Sequence, residues 1–166
     1  MEEGDEVLRK EFMSPTKGPM SLREVFADIL EYVSAEPEMN YRLIIGSDSQ
    51  PREDHICFVS AIIVHREGKG ARYYYSKRYQ NKFFSLRQRI FYEASLSLDV
   101  ASRLTALLAD SGHGDLNIEI HLDVGKVGET KELIREIVGM VTGSGFEARI
   151  KPDSYGASKV ADKYTK

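Results

Sequence analysis

Cysteine occurs once in this chain, at Cys57, so no internal disulfide can staple it. Its setting in the apolar run Ile56-Cys57-Phe58-Val59 suits a buried thiol rather than a nucleophile. With one cysteine and four scattered histidines, none of the standard zinc patterns can be assembled. No apolar run approaches the roughly 18–20 residues that a membrane-spanning helix needs. The N-terminus, Met1-Glu2-Glu3-Gly4-Asp5-Glu6, is acidic with no apolar stretch behind it, the wrong pattern for a secretory signal. Together these absences set the expectation of a cytoplasmic protein with no membrane association.

What is present is the material of one ordinary domain. The 166 residues, 42% hydrophobic and 30% charged, are enough to bury a real core. Residues 1–20 carry no period and contain Pro15, Gly18 and Pro19, and read as an arm or a loosely docked tail. Ser21-Leu22-Arg23-Glu24 is a capping box. Val25, Phe26, Ile29, Leu30 and Val33 follow at helical spacing up to Pro37, predicting a helix over 21–34. Residues 1–40 are therefore an arm and an extra N-terminal helix packed on a domain of residues 41–166.

The domain is organised around Arg42-Leu43-Ile44-Ile45-Gly46-Ser47-Asp48-Ser49-Gln50. Consecutive Leu and Ile suit a strand covered on both faces, over 41–47. Residues 56–65 are a second strand, Glu67-Gly68-Lys69-Gly70 a hairpin turn, and 71–79 a tyrosine-rich third strand. A long helix follows from Ser85 to Asp110, then a strand over 116–123 and a helix over 129–142, stopped by Gly143 and Gly145. A fifth strand spans 146–150, and a last short helix is expected over 155–163. Strand-helix-strand connections imply parallel pairing. With strand one central, the expected fold is α/β: a mixed five-stranded sheet in order 3-2-1-4-5, strand two antiparallel, with helices on both faces.

This order locates the acids. Asp48 ends the first strand and Asp123 the fourth, so as parallel neighbours about 4.8 Å apart they would share one sheet edge and a divalent cation. The competing reading of Asp48 is a turn opener, with Pro51 three residues on. Leu86, Glu93, Val100 and Leu107 form one row of the long helix, because seven residues drift only about 20°. Glu93 is thereby turned toward the protein body, where an unpaired carboxylate is costly unless a cation or a proton neutralises it. Its bland alternative is a side chain reaching past the stripe to water. Asp162 is the last candidate, with a surface ion pair to Lys159 or Lys163 as its plainer reading; Asp153 suits a turn or cap and ranks below it. Carboxylates without thiol or imidazole suit Mg²⁺ or Mn²⁺. Two such ions about 4 Å apart can activate a water and stabilise a leaving oxygen.

Three antiparallel strands followed by α-β-α-β-α, with acids at these four places, resemble the ribonuclease H-like superfamily over residues 41–166. More narrowly, Ile45-Gly46-Ser47-Asp48-Ser49-Gln50, His121-Leu122-Asp123-Val124-Gly125 and Lys151-Pro152-Asp153-Ser154-Tyr155-Gly156-Ala157-Ser158 resemble the YkuK-like group of bacterial proteins. The resemblance implies a ribonuclease H-like fold in which Asp48, Glu93, Asp123 and Asp162 are both the catalytic set and the metal ligands. It further implies two-metal cleavage of a phosphodiester in RNA or an RNA·DNA hybrid.

Charge distribution adds a candidate nucleic-acid surface. Residues 66–89 hold eight bases against Glu67 alone, a net +7 within a chain of −3. They interleave with Tyr73, Tyr74, Tyr75, Tyr79, Phe83 and Phe84, a mixture suited to phosphates and unpaired bases. Arg72, Lys77, Arg78, Tyr79, Lys82 and Arg87 are the candidate contacts. The ordinary alternative packs alternate tyrosines inward and uses the bases to solvate an edge strand. Two functions thus compete: a metal-dependent nuclease, and a non-catalytic nucleic-acid-binding module on the same scaffold. A phosphatase with Asp48 as nucleophile would need a glycine-rich phosphate cradle beside it, and none is present. The sequence is silent on oligomeric state.

Overall fold

A computed structural model describes residues 9–124, 131–151, 154, 160, 161 and 163–165. Ten elements are formed: β1 (Phe12–Ser14), β2 (Gly18–Met20), α1 (Leu22–Ala35), β3 (Tyr41–Pro51), β4 (Ile56–Arg66), β5 (Gly70–Gln80), α2 (Leu86–Asp110), β6 (Ile118–His121), α3 (Lys131–Gly143) and β7 (Glu147–Arg149). Residues 160, 161 and 163–165 are also helical.

The sheet has seven strands in the order β2-β1-β5-β4-β3-β6-β7, not five. The five expected strands are neighbours in the expected sequence, with β4 antiparallel to β3 and β5 and β6 parallel to both β3 and β7. Count and full order differ because residues 12–20, read as an arm, form a hairpin that pairs Met13 with Tyr75 on the outer edge of β5. Three-residue strands around Pro15 and Pro19 carry no usable period. Tertiary pairing forms them, and it buries Phe12 and Met20.

Both long helices begin as their sequences dictate. Ser21 Oγ accepts from the Glu24 amide at 3.1 Å while Glu24 Oε1 accepts from the Ser21 amide at 2.9 Å, a closed capping box. Ser85 and Gln88 repeat the arrangement at the start of α2, at 3.1 and 2.8 Å. The main core gathers Val25 and Ile29 of α1, Ala94, Ala101 and Leu104 of α2 and Ile137 of α3 against Leu43, Ile45, Ile62 and Ile120 of the sheet. The opposite face is covered by the C-terminal helical residues, where Ala161, Val160 and Tyr164 pack on Cys57, Val59, Ala61 and Tyr75. Helices therefore lie on both faces. Strand β4 is buried on both sides along almost its whole length, as its unbroken apolar run requires.

Of the tyrosines of β5, Tyr74 points inward and is 1% exposed. Its hydroxyl donates to Asp28 of α1, which also pairs with Lys17 and Arg72. Burial alone would raise the Asp28 pKa, but the bonds from Lys17 and Tyr74 outweigh it and hold the carboxyl below its usual value.

Candidate functional site

The site is built where β3 and β6 part. Pairing between them ends at Gly46 and His121, and each chain delivers an aspartate two residues further on. Asp48 is not in a turn. Strand β3 continues to Pro51 with Asp48 paired to Val59, and the chain reverses only at 52–55, where the Arg52 amide donates to the His55 carbonyl at 2.7 Å. The crevice beyond the carboxyl ends of neighbouring parallel strands is where α/β sheets place their ligands.

Strand alternation sends the neighbours of Asp48 to the other side of the sheet. Ser47 and Ser49 face α2: Ser47 Oγ is 2.7 Å from Ser97 Oγ and 2.8 Å from Ser60 Oγ, and Ser49 Oγ donates to Glu93 Oε2. Asp48 shares the face of its partner Val59, the side covered by Ala161. The crevice thus receives Glu93 from one face of the sheet and Asp48 from the other. As the side chains stand, no three His, Cys, Asp or Glu residues close into a metal-holding group among the described residues.

Electrostatics still links the three acids. Burial pushes the Glu93 carboxyl up to about 8; the Ser49 hydrogen bond opposes this, the charges of Asp48 and Asp123 add to it, and Arg89 opposes it weakly. Glu93 is therefore held protonated near neutrality by desolvation and by its two acidic neighbours. Arg89 Nε donates to Ser49 Oγ at 3.1 Å, so it braces the hydroxyl that braces Glu93. On the other strand, Lys151 Nζ lies 2.9 Å from Asp123 Oδ1.

Beneath Asp123, the Glu119 carboxylate accepts from Arg42 Nε at 2.8 Å and Nη2 at 2.6 Å, with His121 Nε2 at 3.2 Å. Arg42 holds the Glu119 carboxyl at about 2 against the effect of burial, while burial lowers the His121 imidazole below its ordinary value. An ionised carboxylate only accepts, so His121 carries its proton on Nε2. This buried network fixes the strand that presents Asp123.

Three of the four expected acids, Asp48, Glu93 and Asp123, thus meet at one end of the sheet. Asp162, like Asp153, lies outside the described residues. The basic set divides. Asp48, Val59 and Lys77 stand in one row across three strands, which places Lys77 about 10 Å from Asp48 at two strand spacings. Lys77, Arg78 and Lys82 are exposed, Arg78 on the opposite face with its partner Phe58, and so is Tyr79, edge-on to His55 at 5.6 Å. Arg72 stands apart, about 17 Å further along β5 by strand rise, held by Asp28 at 3.2 Å and lying over the Tyr32 ring. Arg87 pairs with Glu136 at 2.8 Å and lies over Phe91.

A family model of ribonuclease H-like proteins matches residues 24–166. This chain belongs to the ribonuclease H-like family. It is 37% identical over 166 residues to "Uncharacterized protein YkuK" of Bacillus subtilis (strain 168), covering 93% of this chain and 96% of that protein. Among solved structures it is similar to an N-terminal RNase H domain from Mycobacterium tuberculosis, solved as a fusion protein with maltose binding protein. That likeness has a TM-score of 0.39 and 15% identity, over 76% of this chain and 94% of the other.

Sequence reasoning about this ribonuclease H-like chain did not single out Ser49, Arg89, His121 or Lys151. Ser49 had a signal, since alternation sets it beside Asp48 but on the helix side of the sheet. Polar Glu119, His121 and Asp123 at every second position of an otherwise apolar strand also mark one polar face. Lys151 and Arg89 carry no local signal, because their partners are distant in sequence.

Proposed function

We propose that this protein is a metal-dependent nuclease that hydrolyses phosphodiester bonds in RNA or an RNA·DNA hybrid. The observation that carries the reading is Glu93. A carboxyl set by α2 against two aspartates, desolvated and raised to about 8 by burial and by their charges, has chemistry that calls for a cation. The donors are all carboxylate oxygens, which fits Mg²⁺ or Mn²⁺ rather than a softer metal. Asp48, Glu93 and Asp123 would hold the ion, with Asp162 as the fourth expected ligand. A metal held there would supply Lewis-acid chemistry, lowering the pKa of water and stabilising charge on the leaving oxygen, and two ions are expected alongside substrate.

The chain's own groups have separable tasks. Glu93 holds a proton that it would yield to bind a cation, and Ser49, held by Arg89, keeps one of its oxygens oriented. Lys151 balances Asp123, with its side chain 57% exposed. Lys77 and Arg78 neutralise backbone phosphates at the same end of the sheet, with Tyr79 and Lys82 extending that surface.

The test follows melting temperature of the full chain with Mn²⁺, in wild type and Asp48→Asn, and then cleavage of labelled RNA and RNA·DNA hybrid. The expected result is a Mn²⁺-induced rise and a metal-dependent cleavage, both lost in Asp48→Asn without loss of the fold. Charge reversal at Lys77 and Arg78 is expected to weaken substrate binding. Equal nucleic-acid binding by wild type and Asp48→Asn, with no cleavage under Mg²⁺ or Mn²⁺, would replace the nuclease with the binding module.

A further inference from the structure

The linker between β5 and α2 does something that the acidic crevice does not explain. Phe84 is anchored, with its ring 5.8 Å from Phe58 and 5.4 Å from Tyr92. Tyr92 is itself packed 4.6 Å from Phe58, and its hydroxyl accepts from Gln80 Nε2 at 2.8 Å. With Phe84 fixed inward, its neighbour Phe83 is thrown outward and is 92% exposed. Phe83 is thereby the most exposed large apolar side chain of the described residues.

Phe83 stands on the rim of an open groove of about 540 Å³ between the linker, α2 and α3. Phe91, Tyr92 and Met140 line its apolar interior, while Lys82 and Arg87 stand beside it. Arg87 is set over the Phe91 ring, 5.0 Å from its centroid, and steadied by Glu136. Aromatic faces with cations along the rim match a strand whose bases are free and whose backbone is anionic. A duplex keeps its base faces stacked internally and cannot use the aromatic surface in this way.

The groove also lies in the right place. Gln88, Phe91, Tyr92 and Ser95 face it, whereas Ile90, Glu93, Ala94 and Ser97 of the same helix line the acidic crevice. The two features flank the N-terminal half of one helix, whose diameter with side chains is about 10–12 Å.

We infer that this groove stacks unpaired bases, so that the substrate carries a single-stranded run beside the bond to be cut. For its place in a reaction the inference rests on the nuclease reading above; the binding itself is measured without cleavage. The experiment is fluorescence anisotropy in EDTA with labelled oligouridine and with an RNA duplex of the same length. It uses full-length wild type, Phe83→Ala and Phe83→Tyr. Removing one base–aromatic stack is expected to weaken oligouridine binding about tenfold in Phe83→Ala, with Phe83→Tyr restoring it and duplex binding unchanged. Phe83-dependent binding in EDTA, together with no cleavage of the same RNA by wild type in Mg²⁺ or Mn²⁺, would remove the nuclease and keep the groove. Equal oligouridine affinity in wild type and Phe83→Ala would overturn the inference, as would an equal loss for strand and duplex. A concentration-dependent dimer that Phe83→Ala abolishes, without change in oligouridine affinity, would assign the groove to a second copy of the chain.

Discussion

Replacing Glu93 with Gln tests the electrostatic reasoning without any substrate. The folded protein holds this carboxyl at about 8 against an ordinary value of 4.5. Each pKa unit is worth about 1.4 kcal/mol, so the full effect is on the order of 5 kcal/mol. Stability follows the difference in protons bound by the unfolded and folded states. Below pH 4.5 both states are protonated at this position, and the folded state suffers nothing. Between 4.5 and 8 the unfolded state ionises while the folded state does not, so stability falls as pH rises, and the loss is complete above 8. Glutamine keeps the oxygen that accepts from Ser49 but cannot ionise, so the variant escapes this loss. Melts in EDTA should therefore show the two proteins nearly equal near the acid end of the range. Glu93→Gln should melt about 10–20 °C higher above pH 8, at roughly 2–4 °C per kcal/mol for a chain of this size. Other carboxylates titrate in both proteins and cancel in the difference. A gap between the two melting temperatures that stays flat with pH would refute the argument.

Three further outcomes are expected. At pH 7, Mn²⁺ binding should release close to one proton as Glu93 ionises, measured by calorimetry in two buffers of different ionisation enthalpy; no buffer dependence would break the link between Glu93 and the metal. Arg42→Ala strands the buried Glu119 carboxylate and should cost about 3 kcal/mol in urea unfolding near neutral pH. Because the Glu119 pKa is lowered to about 2, the stabilisation that Arg42 provides should fade as pH falls from 4.5 toward 2. Tyr74→Phe removes the hydroxyl that donates to buried Asp28 and should cost about 1–3 kcal/mol; a neutral result would mean that Lys17 and Arg72 satisfy Asp28 by themselves.

How much of this was legible in the residues depends on the range of the forces involved. Strand alternation, helical period and the capping box at Ser21 are local, and they determined the long elements and the neighbour order of five strands. Because parallel strands present their ends at one edge, that order brought Asp48 and Asp123 together on paper, and the row Leu86-Glu93-Val100-Leu107 turned Glu93 toward them. The hairpin of β1 and β2 was not legible. Its strands are too short for a period and exist because β5 offers an unpaired edge. The division of the basic segment was equally hidden: Arg72 is taken by Asp28, 44 residues away, while Arg87 is steadied by Glu136, 49 residues away, beside the groove. Only the tertiary structure decided that Asp48 and Glu93 approach the crevice from opposite faces of the sheet, that Glu93 keeps its proton, and that Phe83 stands in water while Phe84 is anchored. Those outcomes depend on desolvation and on contacts between distant segments, which no local pattern encodes.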